Sequence, residues 1–202
     1  MINYGLLQQA SEYYENLGYK RIEAPWLVTE AISNITKPIG VSNYYITKEY
    51  RGDYKKVFVA SGEQSFLYLI NKGFLPKSGK FQTITPCMRN DSFSEIHTKY
   101  FMKLELIRYT TQPETDLLYP ADVHAMMHDA KKFFELNIRD KDKLKVEKPE
   151  FTIDECQIDI LYEREDADDV ELGSYGLRKC SFVKWVYGTG LAEPRFSRTV
   201  KR

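Results

Sequence analysis

One stretch of the chain, RNDSFSEIHTKYFMKLE from Arg89 to Glu105, gathers an arginine, a histidine, an aromatic ring and a carboxylate. An arginine at the end of a strand can fork onto a phosphate or carboxylate with paired donors. Phe101 offers a flat face on which a base can stack. His97 falls at the loop end, near where a phosphate tail would hang. A purine nucleotide needs a ring to lie on, backbone amides for the base edge and cations for the phosphates. For Arg89 taken alone, a surface ion pair with Asp91 or Glu105 is the plainer reading, so its weight depends on what accompanies it.

Three further segments accompany it. In GTGLAEPRF, residues 188–196, the small residues Gly188, Gly190 and Ala192 let the backbone pass close to a ligand, and Arg195 follows at the start of a helix. In ELGSYGLR, residues 171–178, strand alternation sets Glu171, Gly173 and Tyr175 on one face. Glu171 there suits a magnesium ion, a hard cation that takes oxygen ligands; an exposed carboxylate on an edge strand is the alternative. In SGEQ, Ser61 and Gln64 have the spacing of a helix-capping box, and capping competes with ligand contact as the role of Gln64. His124 and His128 share a helical face as a candidate metal pair but lack a third ligand, so ordinary helix positions account for them better.

The elements that hold these residues follow from periodicity. Leu6, Leu7, Ala10, Tyr13, Tyr14 and Leu17 recur at helical spacing, and Gly18 closes that helix. A strand leads to a turn at Pro25, and residues 33–56 read as irregular. VFVASGEQSFLYLINKG is a strand followed by a helix ending near Gly73. KFQTITPCMRND and TKYFMKLELIRY form an antiparallel pair, and a long helix runs from Pro120 to about Asn137. Two more strands precede a strand or turn, a glycine-marked corner and a short C-terminal helix. Hairpins outnumber crossovers, which predicts an α+β fold, an antiparallel sheet flanked by helices.

At 202 residues, with 43% hydrophobic composition, the chain suits one domain spanning 1–202. Lys+Arg and Asp+Glu both number 29, so no net charge holds nucleic acid non-specifically. The cysteines, Cys87, Cys156 and Cys180, are scattered, which fits a reducing, cytoplasmic setting and argues against a zinc site. The amphipathic start is no signal peptide, and no apolar run is long enough to span a membrane.

Taken together, LGYKRIEAPWLV, the Arg89–Glu105 hairpin and GTGLAEPRF resemble, in order, the three signature motifs of class II aminoacyl-tRNA synthetases. Motif 1 covers about 6–27 and ends at Pro25, motif 2 about 81–108, and motif 3 about 186–200. ASGEQSFL and the Glu171–Arg178 spacing favour the aspartyl/asparaginyl branch, while the arginine, histidine, phenylalanine and glutamate of motif 2 also look phenylalanyl-like.

The resemblance implies ATP-dependent formation of an aminoacyl-adenylate, with ATP and Mg2+ as cofactors. Catalysis would fall to Arg89, Arg195 and Glu171. ATP would be held by Arg89, Asp91, His97, Phe101, Glu105, Gly188, Gly190 and Arg195, with Phe101 and Arg195 on opposite faces of adenine. The amino acid would meet Ser61, Gln64, Gly173 and Arg178, the last reading an acidic or amide side chain. Glu171 would bind the metal; the branch's second acid falls near Arg164, which leaves Glu163 or Asp159 as substitutes.

The family further implies a homodimer through motif 1 and transfer to tRNA or to another acceptor. Departures are Asp91 in place of the usual glutamate and LAEPR, residues 191–195, where a third glycine is usual. These admit two other readings: an inactive synthetase-like regulator or subunit that binds an amino acid or nucleotide, and an RNA-binding module that keeps only the scaffold.

Overall fold

A computed structural model describes residues 1–37, 46–48, 55–89, 94, 96, 98–114, 117–147, 150–151, 156–165 and 167–200. Helix α1 (Tyr4–Asn16) forms where the apolar spacing predicts it, and Leu6, Leu7, Ala10 and Tyr14 are all buried. Asn3 starts it by accepting from the Leu6 amide at 3.0 Å. The chain leaves through Gly18 at φ +87°, a left-handed conformation that costs glycine nothing.

Strands β1 (Lys20–Arg21) and β2 (Leu27–Thr29) flank the turn at Pro25. The stretch read as irregular, 33–56, holds the latter part of helix α2 (Glu30–Thr36), strand β3 (Ile46–Lys48) and the start of strand β4 (Lys55–Phe58). Seven residues are too few for helical periodicity to stand out. The Thr29 hydroxyl caps α2, accepting from the Ile32 amide at 3.4 Å. β2, β4 and β3 form a small antiparallel sheet.

Helix α3 (Gly62–Asn71) precedes the hairpin of β5 (Ser78–Met88) and β6 (Tyr100–Thr110), and helix α4 (Pro120–Asn137) follows it. The remaining strands are β7 (Leu144–Val146), β8 (Glu150–Phe151), β9 (Cys156–Tyr162), β10 (Val170–Lys179) and β11 (Lys184–Glu193), and helix α5 (Arg195–Thr199) follows β11. Among the described residues the main sheet has eight strands in the order β1-β5-β6-β11-β10-β9-β7, with β8 on β9. Each pairing is antiparallel except β1 with β5, as expected of an α+β fold.

The sheet separates two cores. Its back carries α1, α4 and Phe196 of α5, packed on Leu104, Leu106, Ile158, Ile160 and Tyr175. Its front carries α2, α3 and the small sheet, packed on Phe81, Ile107, Tyr109 and Trp185. The site described below lies on the front.

The glycines of the C-terminal segment correct one expectation. They form no corner: Gly188 and Gly190 lie within β11, which runs to Glu193. A Cβ on Gly188 would fall 2.6 Å from Met126 Sδ of α4, and one on Gly190 would fall 2.4 Å from Leu104 Cδ2 and 2.9 Å from the Tyr14 ring of α1. Both positions therefore face the back core, and the glycines are there so that helices can press on the sheet. Gly190→Ala is expected to destabilise the fold by about 1–3 kcal/mol through overpacking, which denaturant unfolding would measure.

Candidate active site

Strand alternation sets Phe101, Lys103 and Glu105 on the front face of β6. Their neighbours follow from register. Cys87 lies beside Phe101, Lys103 lies between Thr85 and Ala192, and Glu105 lies between Thr83 and Thr189. β5 and β11 are both antiparallel to β6, so they run the same way. Arg89, one residue beyond β5, and Arg195, two beyond β11, therefore leave the sheet at one common end. β10 runs oppositely to β11, which brings Glu171, near the start of β10, to that end as well.

Contacts join these residues into two pairs. The Arg89 guanidinium carbon lies 5.2 Å from the centre of the Phe101 ring, and its Nε donates to the Ala60 carbonyl at 3.2 Å. Arg195 Nη1 donates to the Glu171 carbonyl at 3.3 Å and lies 3.7 Å from that residue's Oε1. Thus a guanidinium with an aromatic face and a guanidinium with a carboxylate stand on either side of the β6 start.

α3 closes the inner side of this cleft. Gly62 sits so close to the floor that a Cβ there would lie 2.9 Å from Glu105 Cβ. Beside it, Ser61 Oγ donates to Glu105 Oε2 at 2.7 Å, and Lys103 Nζ donates to Glu105 Oε1 at 3.0 Å. Glu63 is buried and accepts from Arg178 Nη1 at 3.1 and 3.0 Å and from Trp185 Nε1 at 2.6 Å. Burial raises the Glu63 carboxyl above its ordinary pKa, opposed by Arg178 and the Trp185 hydrogen bond. The Cys87 thiol is pushed up to about 11, chiefly by burial, and is a poor nucleophile there.

Several expected site residues lie elsewhere. Gln64 is a structural clamp. Its Oε1 accepts from the Ala60 amide at 2.9 Å, and its Nε2 donates to Ser33 O at 3.2 Å and Thr36 Oγ1 at 3.2 Å, tying α3 to α2. No reciprocal capping box forms, because the Gln64 oxygen is taken by Ala60. Gln64→Ala should cost about 1–3 kcal/mol of stability while leaving the KM for an amino acid unchanged, a split that unfolding and kinetics would separate.

Gly173 does not share a face with Glu171. A β-bulge intervenes, Glu171 pairing with Leu161 and Gly173 with the adjacent Ile160, so Gly173 turns to the back against Tyr175. Glu105, expected among the ATP contacts, is fully buried under α3, where Ser61 and Lys103 take its oxygens. Glu163 pairs with Lys145 of β7 at 2.9 Å. Asp91 and His97 lie outside the described residues. His124 and His128 are exposed on α4, and among the described residues no group of three or more His, Cys, Asp or Glu is placed to hold a metal. Glu171 is half exposed at the open end, which suits a cation that takes most of its ligands from phosphates and water.

Three residues escaped the sequence reading: Glu63, Lys103 and Trp185. Lys103 was within reach of it, since strand alternation already sets it between Phe101 and Glu105. Glu63 carries no such signal, because a glutamate in a helix's first turn reads as favourable to the helix dipole.

The fold has counterparts among solved structures. No protein-family model matches the sequence, and no curated protein matches it by sequence. The structure is similar to a cytoplasmic serine-tRNA ligase of Naegleria fowleri in complex with AMP, at TM-score 0.73 and 17% identity, over 96% of this chain and 52% of that one. It is similar to the seryl-tRNA synthetase of Pyrococcus horikoshii complexed with ATP, at 0.69 and 14%, over 96% and 49%. It also matches a pyrrolysyl-tRNA synthetase of Desulfitobacterium hafniense at 0.67 and 16%, over 96% and 64%.

The chain thus spans about half the length of the two seryl enzymes. At such identities the likeness speaks for the fold, and the fold is that of a class II aminoacyl-tRNA synthetase catalytic domain. The similar structures are seryl and pyrrolysyl enzymes and support the class II core, not the aspartyl/asparaginyl branch. No described helix is long and apolar enough to cross a membrane.

Proposed function

We propose that this chain activates an amino acid with ATP, forming an aminoacyl-adenylate and pyrophosphate. The observation that carries the reading is the convergence of Arg89, Phe101, Arg195 and Glu171 at one end of the sheet, beside a cleft lined by Lys103 and Glu63. Similarly folded proteins add support, since one was solved with AMP and another with ATP.

In this reading adenine stacks on Phe101 and is covered by Arg195, while Arg89 binds both the α-phosphate and the amino-acid carboxylate. One carboxylate oxygen of the amino acid attacks the α-phosphorus in line, and the bond to the bridging oxygen breaks with its electron pair leaving on pyrophosphate. The chain contributes alignment and fixed positive charge and needs no nucleophile of its own. Glu171 would hold Mg2+, which supplies charge neutralisation at the phosphates. Two copies would pair through the motif 1 segment, and the acceptor would be tRNA or a smaller molecule.

Amino-acid-dependent exchange of labelled pyrophosphate into ATP tests this directly; folded protein that supports no exchange with any standard amino acid would overturn it. A catalytically inactive regulator is the second reading. It is favoured by the pairing of Glu171 with Arg195 and of Glu163 with Lys145, which leaves few acids for metal. ATP binding by calorimetry without exchange would select it.

A further inference from the structure

The cleft is closed at its inner end by a bar. Arg178 rises from β10, crosses Tyr187 of β11 with its guanidinium carbon 4.2 Å from the ring centre, and ends on Glu63 of α3. Trp185, from below, fixes the same carboxylate at 2.6 Å. The bar is therefore anchored on a strand, a ring and a helix, each with its own core contacts, and Tyr187 beneath it is buried.

The length available is set by the sheet. Same-face residues on a strand are about 6.6–6.8 Å apart, so the Phe101 level and the Tyr187 level, three such steps apart across the β6–β11 register, are separated by roughly 20 Å. Adenine, ribose and α-phosphate occupy the outer part of that span. What is left for the amino acid lies over Lys103, Ala192, Thr189 and Ser174, and the side chain then meets the bar.

Charge restricts it further. Lys103 is matched by Glu105 at 2.9 Å and Arg178 by Glu63 at 3.0 Å, so the two cations beside the side-chain space already carry their own carboxylates. A substrate side-chain carboxylate there would lose its hydration and compete with a carboxylate already in place. The same pairing makes Arg178 a wall rather than a reader of acidic or amide groups.

Resting on the activation reading above, we propose that the activated amino acid has a short, uncharged side chain, of the glycine, alanine, serine, cysteine or threonine size class, and that the Glu63–Arg178 bar sets this limit. The test is binding of non-reactive aminoacyl-sulfamoyl adenosines to the wild-type chain by calorimetry, using the alanyl, seryl, asparaginyl, aspartyl, lysyl and phenylalanyl compounds. The alanyl or seryl compound is expected to bind at least about tenfold more tightly than the other four. Equal or tighter binding of the aspartyl, asparaginyl, lysyl or phenylalanyl compound overturns this inference while leaving amino-acid activation standing. Binding of none overturns activation and the inference with it. Arg178→Ala, checked for folding by its Tm, should raise the phenylalanyl compound's affinity about tenfold relative to the alanyl one. An unchanged ratio in folded variant protein shows that the bar does not set the limit.

Discussion

Arg89→Ala is expected to lower amino-acid-dependent pyrophosphate exchange by about a thousandfold, roughly 4 kcal/mol of transition-state stabilisation, the scale found when a fixed donor to developing charge is removed. In the proposed reaction both reactants carry negative charge where they meet, and the Arg89 guanidinium answers both. Its position is prepared beforehand: the backbone amide of Arg89 bonds Lys99 at 3.0 Å, Nε bonds Ala60 at 3.2 Å, and Phe101 supports the planar group. Arg89→Ala also gives up the Nε bond to Ala60, worth about 1 kcal/mol, so the melting temperature should fall by only a few degrees. Arg89→Lys should recover only a small part of the rate, because an ammonium cannot fork across two oxygens or lie flat on a ring. Exchange kinetics beside thermal unfolding would check both variants, and near-normal exchange by Arg89→Ala would remove this residue from the chemistry.

The second large effect is on stability. Glu63→Ala strips the partner from Arg178 and leaves the buried Trp185 N–H without its acceptor. Breaking a buried pair costs about 3–5 kcal/mol, and the 30% exposure of Arg178 brings the expected loss toward about 3 kcal/mol. Denaturant unfolding measures it directly. Glu63→Gln keeps the shape and an acceptor oxygen, so it should cost less.

The two variants also separate by pH. Burial raises the folded-state pKa of Glu63 above that of the unfolded chain, so the native state holds this proton more tightly. Its contribution therefore favours the fold most at low pH and declines as pH rises from the ordinary carboxylate value through the raised one. Glu63→Gln should flatten that part of the stability profile. A wild-type profile rising through the same window relative to Glu63→Gln would show that Arg178 and Trp185 outweigh burial.

How much of this was legible before folding depends on whether the signal was local. The long helix from Pro120 to Asn137, the hairpin of β5 and β6, and the helix following Ser61 could be read because apolar period, proline and glycine act within a few residues. α2 could not, being too short for a period to register. The glycines of β11 misled, since a glycine in sequence looks the same whether it bends the chain or admits a helix against a sheet; Met126, Tyr14 and Leu104 make that choice from distant elements.

The site divides along the same line. From residue types alone it followed that Arg89, Phe101, Glu171 and Arg195 have the chemistry of nucleotide binding, because forked cations, a flat ring and an oxygen ligand are properties of single side chains. That they share one end of one face was decided by strand order and direction, which place β5, β6, β11 and β10 side by side although long stretches of chain separate them. A single bulge turned Gly173 away from Glu171, and hydrogen bonds to α2 withdrew Gln64. The pairing of Glu63 with Arg178 belongs wholly to the tertiary structure: a carboxylate on a helix and a guanidinium on a strand acquire a joint role only when packing buries them together and removes the water that would otherwise keep them apart.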